Sequence, residues 1–107
     1  EVIGYKIHAI DGQIGHVEDF IVDPHFWWIP YVVINTKNIL PGKKTLIGTH
    51  WIADISWSEA SLYVNVQKET IKSAPEFNFD QPISRSYEEI LYNYYGIPRY
   101  WQEHVEV

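Results

Sequence analysis

Cysteine is absent from this chain of 107 residues. Disulfides, thiolate metal sites and cysteine nucleophiles are therefore excluded, and the redox compartment stays open. Positive charge is scarce as well: eight Lys and Arg stand against 14 Asp and Glu, a formal charge of −6. Binding to a phosphate backbone relies on clustered cations, so no nucleic-acid partner is expected. Lys43-Lys44 reads as a solvated turn, too small to change that. A basic or neutral protein surface is the more compatible partner. No run reaches the ~18 apolar residues that a bilayer-spanning helix needs, so no direct membrane insertion is expected. The chain opens on Glu1 with no signal-like segment before its first strand, and it reads as a piece cut from something longer.

Aromatic residues are abundant instead: five Trp, eight Tyr and four Phe. The length suits a single domain with one core. Asp11-Gly12 is a hairpin signal, because Gly takes φ > 0 without steric cost. It predicts a first strand over 2–10 and a second reaching Asp23, with Gly15 marking a bulge or a close backbone approach. A two-residue Asp11-Gly12 loop pairs Ile7 with His16 and His8 with Gly15; a three-residue loop sets His8 opposite His16. Trp27 to Thr36 reads as a third strand, with Val32 to Ile34 buried on both sides and Pro30 marking an edge or bulge. Pro41-Gly42 fits a type II turn. Short strands follow near Thr45–Ile47, Trp51–Trp57 and Leu62–Val66, then a helical turn over 68–73 that Pro75 stops. After a connector, Ser86-x-x-Glu89 reads as a capping box. Tyr87, Ile90, Leu91 and Tyr94 form the apolar stripe of the helix it starts, with Gly96 in the C′ position. That stripe is expected to dock on the strands.

Candidate chemistry is thin. The five histidines, His8, His16, His25, His50 and His104, lack the spacing of a metal site and read as surface or hydrogen-bonded residues. Glu18-Asp19 with Asp23 is the one carboxylate cluster. Adjacent strand residues point to opposite faces, so Glu18 and Asp19 cannot share a site unless a bulge intervenes. No Gly-rich phosphate loop or nucleophile elbow occurs. No catalytic, cofactor-binding or metal-binding residue is assigned, and no cofactor is implied. The tail aromatics, Tyr87, Tyr94, Tyr95, Tyr100 and Trp101, read as packing rather than as a ligand platform.

Three stretches together resemble PRC-barrel domains. IGYKIHAIDGQIGHVEDFIVD looks like their first hairpin, YVVINTKNILPGKK like their central strand and Pro-Gly turn, and WIADISWSEASLYVNV like their closing hairpin. The tail KETIKSAPEFN followed by YEEILYNYYGIPRYW resembles an extension of one stand-alone PRC-barrel group. The resemblance implies a mainly β protein: a small antiparallel barrel over about 1–67 and a helical C-terminal extension with an aromatic tail over about 68–107. It also implies a cytoplasmic, non-catalytic interaction or assembly module that meets another protein, a sister barrel or a second copy. Two narrower roles come with it. One is that of the reaction-centre H subunit, capping a photosynthetic membrane complex and supporting electron and proton transfer to quinone; the other is ribosome assembly. The family more often has polar residues where this chain has Phe26, Trp28 and Pro30, which share one side of a strand. With Ile29, Tyr31 and Val33 assigned inward, those three are the expected protein-contact face. Asp11, Gly12, Pro41 and Gly42 are assigned structural roles in turns.

Overall fold

The hairpin signal is fulfilled with a shifted register. In the computed structural model, which describes residues 3–23, 25, 27–36, 43–78 and 82–102, β1 (Lys6–Ala9) pairs antiparallel with β2 (Gly12–Asp23). Ala9 faces Gly12, His8 faces Gln13 and Lys6 faces His16, so the loop is Ile10-Asp11 and neither expected register is adopted. Two contacts impose this. Asp11 Oδ1 accepts the Lys68 N–H at 2.8 Å, and the Ile10 N–H donates to the Val66 carbonyl at 2.8 Å. The turn is thereby tied to the later chain. Gly12 keeps the positive φ expected of it, 139°. Gly15 is both a bulge and a close approach: its φ is 81°, and a Cβ there would lie 2.3 Å from the Asn35 carbonyl oxygen.

Four more strands complete the sheet: β3 (Trp28–Asn35), β4 (Lys44–Gly48), β5 (Ile52–Ser56) and β6 (Ser61–Val64). Their order is β4-β3-β2-β1-β6-β5, and the sheet curls into a half-barrel. It is not wholly antiparallel, because β1 and β6 run parallel. The cause lies at Thr49–Trp51, a single 3-10 turn that carries the chain from β4 into β5 without reversing it. One reversal is missing from the meander, so β6 returns beside β1 in the same sense. Ile7, Val17, Val33, Ile34, Leu46 and Leu62 are among the buried core residues, and Val32 to Ile34 are closed on both faces as expected.

The sheet's two outer strands are treated differently. Beside β4 runs the chain that follows α1 (Lys68–Lys72). Phe77 N–H donates to the Lys44 carbonyl at 2.7 Å, Thr45 Oγ1 donates to the Pro75 carbonyl at 2.7 Å, and Lys43 Nζ donates to the Lys72 carbonyl. At β5 the register shifts between Ile52 and Asp54, and Asp54 Oδ1 accepts the Ile55 N–H at 2.8 Å. A bulge and an occupied donor blunt that strand for further pairing.

The chain divides into two compact units, Glu1–Phe77 and Asn78–Val107. In the second, α2 (Arg85–Tyr95) starts earlier than the Ser86 capping box predicts. Ser84 is the N-cap, its hydroxyl accepting the Tyr87 N–H at 3.0 Å. The C-terminus is a Schellman motif around Gly96, with Ile97 N–H donating to Tyr92 O at 3.1 Å and Gly96 N–H to Asn93 O at 3.2 Å. The apolar stripe is also displaced by one residue. Glu88, Leu91 and Tyr92 are buried, whereas Ile90 and Tyr94 are exposed. The folded-back tail selects this face: Tyr92 packs edge-on against Trp101, and Glu88 holds Arg85 at 3.2 Å and the Tyr100 hydroxyl at 2.9 Å. No helix among the described residues is long and apolar enough to cross a membrane.

Candidate protein-contact surface

The end of the β2–β3 hairpin is built by one aspartate. Asp23 Oδ1 accepts the His25 N–H at 2.9 Å, and the Asp23 carbonyl accepts the Trp27 N–H at 2.8 Å. This tight turn holds Trp27 at φ 56° and leaves it 84% exposed. A bulky residue in the left-handed region costs roughly 1–2 kcal/mol. Such strain is found where the structure over-determines a position, often at a functional site.

Alternation along β3 fails just beyond Trp27. Asp23 pairs with Trp28 and Ile21 with Tyr31, so Ile29 and Pro30 together oppose Val22. Pro30 thus marks a bulge, as its missing N–H suggests, in a strand with neighbours on both sides. The bulge interrupts the facing deduced from a period of two: Tyr31 and Val33 are buried as assigned, whereas the residues before the bulge depart from it. Pro30 is buried and Trp28 half-buried, so Pro30 is not part of an exposed face. Ile29, assigned inward from the alternation, is 39% exposed and Val22 is 51% exposed. Phe26, Pro41 and Gly42 lie outside the described residues, as does His104.

Next to this patch the half-barrel opens into a cleft of about 360 Å³. The Thr49 hydroxyl joins the two, donating to the Ile29 carbonyl at 2.6 Å while lining the cleft. Phe20, Val32 and Leu62 line it from β2, β3 and β6, and Ile52 to Ile55 from β5. Val32 and Leu62 are almost wholly buried, whereas Ala53, Asp54 and Ile55 are exposed. An apolar cleft with one carboxylate beside it can accept a large apolar side chain and a neighbouring hydrogen-bond donor or cation. Sequence reading misses it because its walls come from strands whose order follows from the unreversed β4–β5 connection.

The remaining polar groups are engaged structurally. A bulge does occur at Glu18, yet the carboxylates divide rather than converge. Glu18 takes Lys44 Nζ at 2.5 Å and Asn35 Nδ2 at 2.6 Å, while Asp19 accepts its neighbour's N–H, from Phe20, at 2.8 Å. The Lys44 hydrogen bond, seconded by Asn35 against partial burial, holds the Glu18 carboxyl below its ordinary pKa. His8 stacks on Tyr63 and places Nε2 3.1 Å from Ser61 Oγ. Ser61 gives its own proton to the Glu59 carbonyl at 3.1 Å, so His8 is the donor in that contact and the serine is not poised as a nucleophile. Tyr63 donates to Glu59 Oε1 at 3.0 Å, and that bond raises its phenol pKa. Among the described residues no group of three or more His, Asp or Glu side chains is placed to hold a metal ion. No protein-family model matches this chain, and no curated protein matches it in sequence.

Proposed function

We propose that this chain is a PRC-type barrel serving as a non-catalytic, cytoplasmic protein-contact module whose partner is another protein or a sister barrel. The observation that carries the proposal is Trp27: a large aromatic side chain, 84% exposed, at a left-handed φ of 56° with its N–H donating to the Asp23 carbonyl. Ile29 and Val22, on the two strands that this turn joins, are exposed apolar side chains as well. Exposed large aromatic residues are favoured as interface anchors. The contact face is therefore Trp27, Ile29 and Val22, in place of the set expected from alternation.

The test is position-specific. A photo-crosslinking amino acid at Trp27, in cells, is expected to capture a defined protein, while the same group at exposed Gln13 does not. Equal capture from both positions, or none from Trp27, overturns the proposal. The reaction-centre-like and ribosome-assembly roles are narrower versions of it, distinguished by the captured protein's identity and by co-sedimentation with ribosomal particles.

A further inference from the structure

The lining of the cleft selects for one kind of small molecule. Its walls are apolar, with Phe20, Val32, Ile52, Ile55 and Leu62 contributed by β2, β3, β5 and β6. Two polar side chains join them, Thr49 and Asp54, and no Lys, Arg or His does. The Thr49 hydroxyl gives its single proton to the Ile29 carbonyl at 2.6 Å, so what it has left to offer is lone pairs. Asp54 is exposed and accepts the Ile55 N–H at 2.8 Å. Among the described residues no Lys or Arg forms an ion pair with it. An ionised carboxylate only accepts, and its two oxygens have capacity beyond one bond. The polar side chains of the cleft therefore accept hydrogen bonds and donate none. A ligand bearing a carboxylate or phosphate meets one negative charge there and no donor side chain.

We propose that the cleft binds a small apolar amine, an aromatic or branched hydrocarbon body with an ammonium group on a short arm. Its volume of about 360 Å³ lies near the lower end of the range of small-molecule clefts, so the body is about the size of a bicyclic arene. That body rests against Val32 and Leu62, the two wall residues that are almost wholly buried, and the ammonium group meets Asp54. The formal charge of −6 adds a long-range attraction for cations. A peptide is the poorer occupant, because the bulge in β5 and the engaged Ile55 N–H leave that strand a poor partner for its main chain. A second copy is disfavoured by the same charge on both chains. The site goes beyond the protein-contact face at Trp27 and does not rest on it.

The experiment titrates the isotopically labelled full chain by NMR with three compounds that share one ring: tryptamine, indole and indolepropionate. Tryptamine is expected to bind about threefold more tightly than indole and about tenfold more tightly than indolepropionate, the scale of an exposed ion pair against an exposed repulsion. It should shift amides of β5 and β6, and its advantage over indole should shrink as salt rises. Asp54→Asn keeps an oxygen for the Ile55 N–H while removing the charge. It should erase the preference for tryptamine and leave indole binding unchanged. Ile55→Lys puts a cation on the cleft wall and should reverse the order in favour of indolepropionate.

Equal affinity of the unaltered chain for tryptamine and indolepropionate overturns the proposal. So does the absence of saturable shifts in β5 and β6 with all three compounds, or a preference for tryptamine that survives Asp54→Asn. Shifts of the same amides on concentrating the chain alone, with a doubled mass, identify a second copy as the occupant and overturn it as well. The protein-contact reading is tested separately, by crosslinking from Trp27.

Discussion

Two single residues show how much backbone geometry depends on what stands beyond Cα. At Gly15 a methyl group would meet the Asn35 carbonyl oxygen at 2.3 Å, and φ is 81°. Backbone, unlike a side-chain tip, cannot swing aside. Gly15→Ala is expected to destabilise the first unit by at least about 2 kcal/mol in urea unfolding, against ~1 kcal/mol for Gly12→Ala, where a flexible Lys68 side chain is the nearest neighbour. Trp27 is the opposite case. Its left-handed φ and 84% exposure mean that the side chain imposes strain without compensating burial. Trp27→Gly should therefore leave stability unchanged or raise it by up to about 1 kcal/mol while abolishing partner capture. A sharp fall in the melting temperature of that variant would place Trp27 in the core and remove the basis of the contact face. The role of Gly15 is legible in the sequence, because glycine weakens a strand unless a bulge or a close backbone approach requires it. The exposure of Trp27 is not, since a left-handed tryptophan breaks the alternation from which facing is deduced.

At the level of elements, caps and covers decide boundaries that hydrophobic patterns place only approximately. Ser84 and Ser86 both precede the helix stripe, and only Ser86 has a glutamate three residues on. The hydroxyl that accepts a helical N–H nevertheless belongs to Ser84, with Ser86 inside the first turn. Ser84→Ala is expected to cost about 1 kcal/mol of local stability, measured by hydrogen exchange of the α2 amides, and Ser86→Ala close to nothing. The reverse order would restore the capping-box start. The shifted helix face has the same origin. A stripe of Tyr87, Ile90, Leu91 and Tyr94 is as apolar as any the sequence offers, but the Arg85–Glu88–Tyr100 contacts and the packing of Trp101 on Tyr92 bury a glutamate instead. Long-range partners of this kind leave no periodic trace. Six strands and the terminal helix are legible in the residues; the register of the first turn, the pairing order of the strands, and hence the cleft, are not.

For the whole molecule, charge and burial set a pH range. Glu18 has a depressed pKa, so its contribution is present above the ordinary carboxylate value and is lost as pH falls through the folded value. With both partners 28% exposed, the pair is partly screened and its effect modest. Glu18→Gln should flatten the acid side of a melting-temperature profile at low salt. On the alkaline side burial pushes the Tyr95 phenol up, and burial with the Glu88 hydrogen bond raises Tyr100. Raised phenols contribute fully below the ordinary value near ~10, and that contribution is lost as pH climbs through their folded values. Tyr95→Phe should extend stability to higher pH; an unaltered alkaline limb, followed by phenolate absorbance, would show that Tyr95 ionises freely.

The parallel contact between β1 and β6 has a kinetic consequence. His8 and Ser61 are 53 residues apart in sequence, whereas β2, β3 and β4 join neighbours through successive hairpins. Closing so long a loop takes conformational entropy before any contact compensates it, so the meander nucleates and the β1–β6 pairing zips last. Interactions formed after the transition state govern how fast the native state opens rather than how fast it is reached. Ser61→Ala is accordingly expected to speed unfolding several-fold in a stopped-flow chevron, with a refolding arm superimposed on the parent's. A slowed refolding arm would put this pairing in the nucleus. On this expectation the unreversed turn at Thr49–Trp51, which fixes the topology, also governs the lifetime of the folded half-barrel.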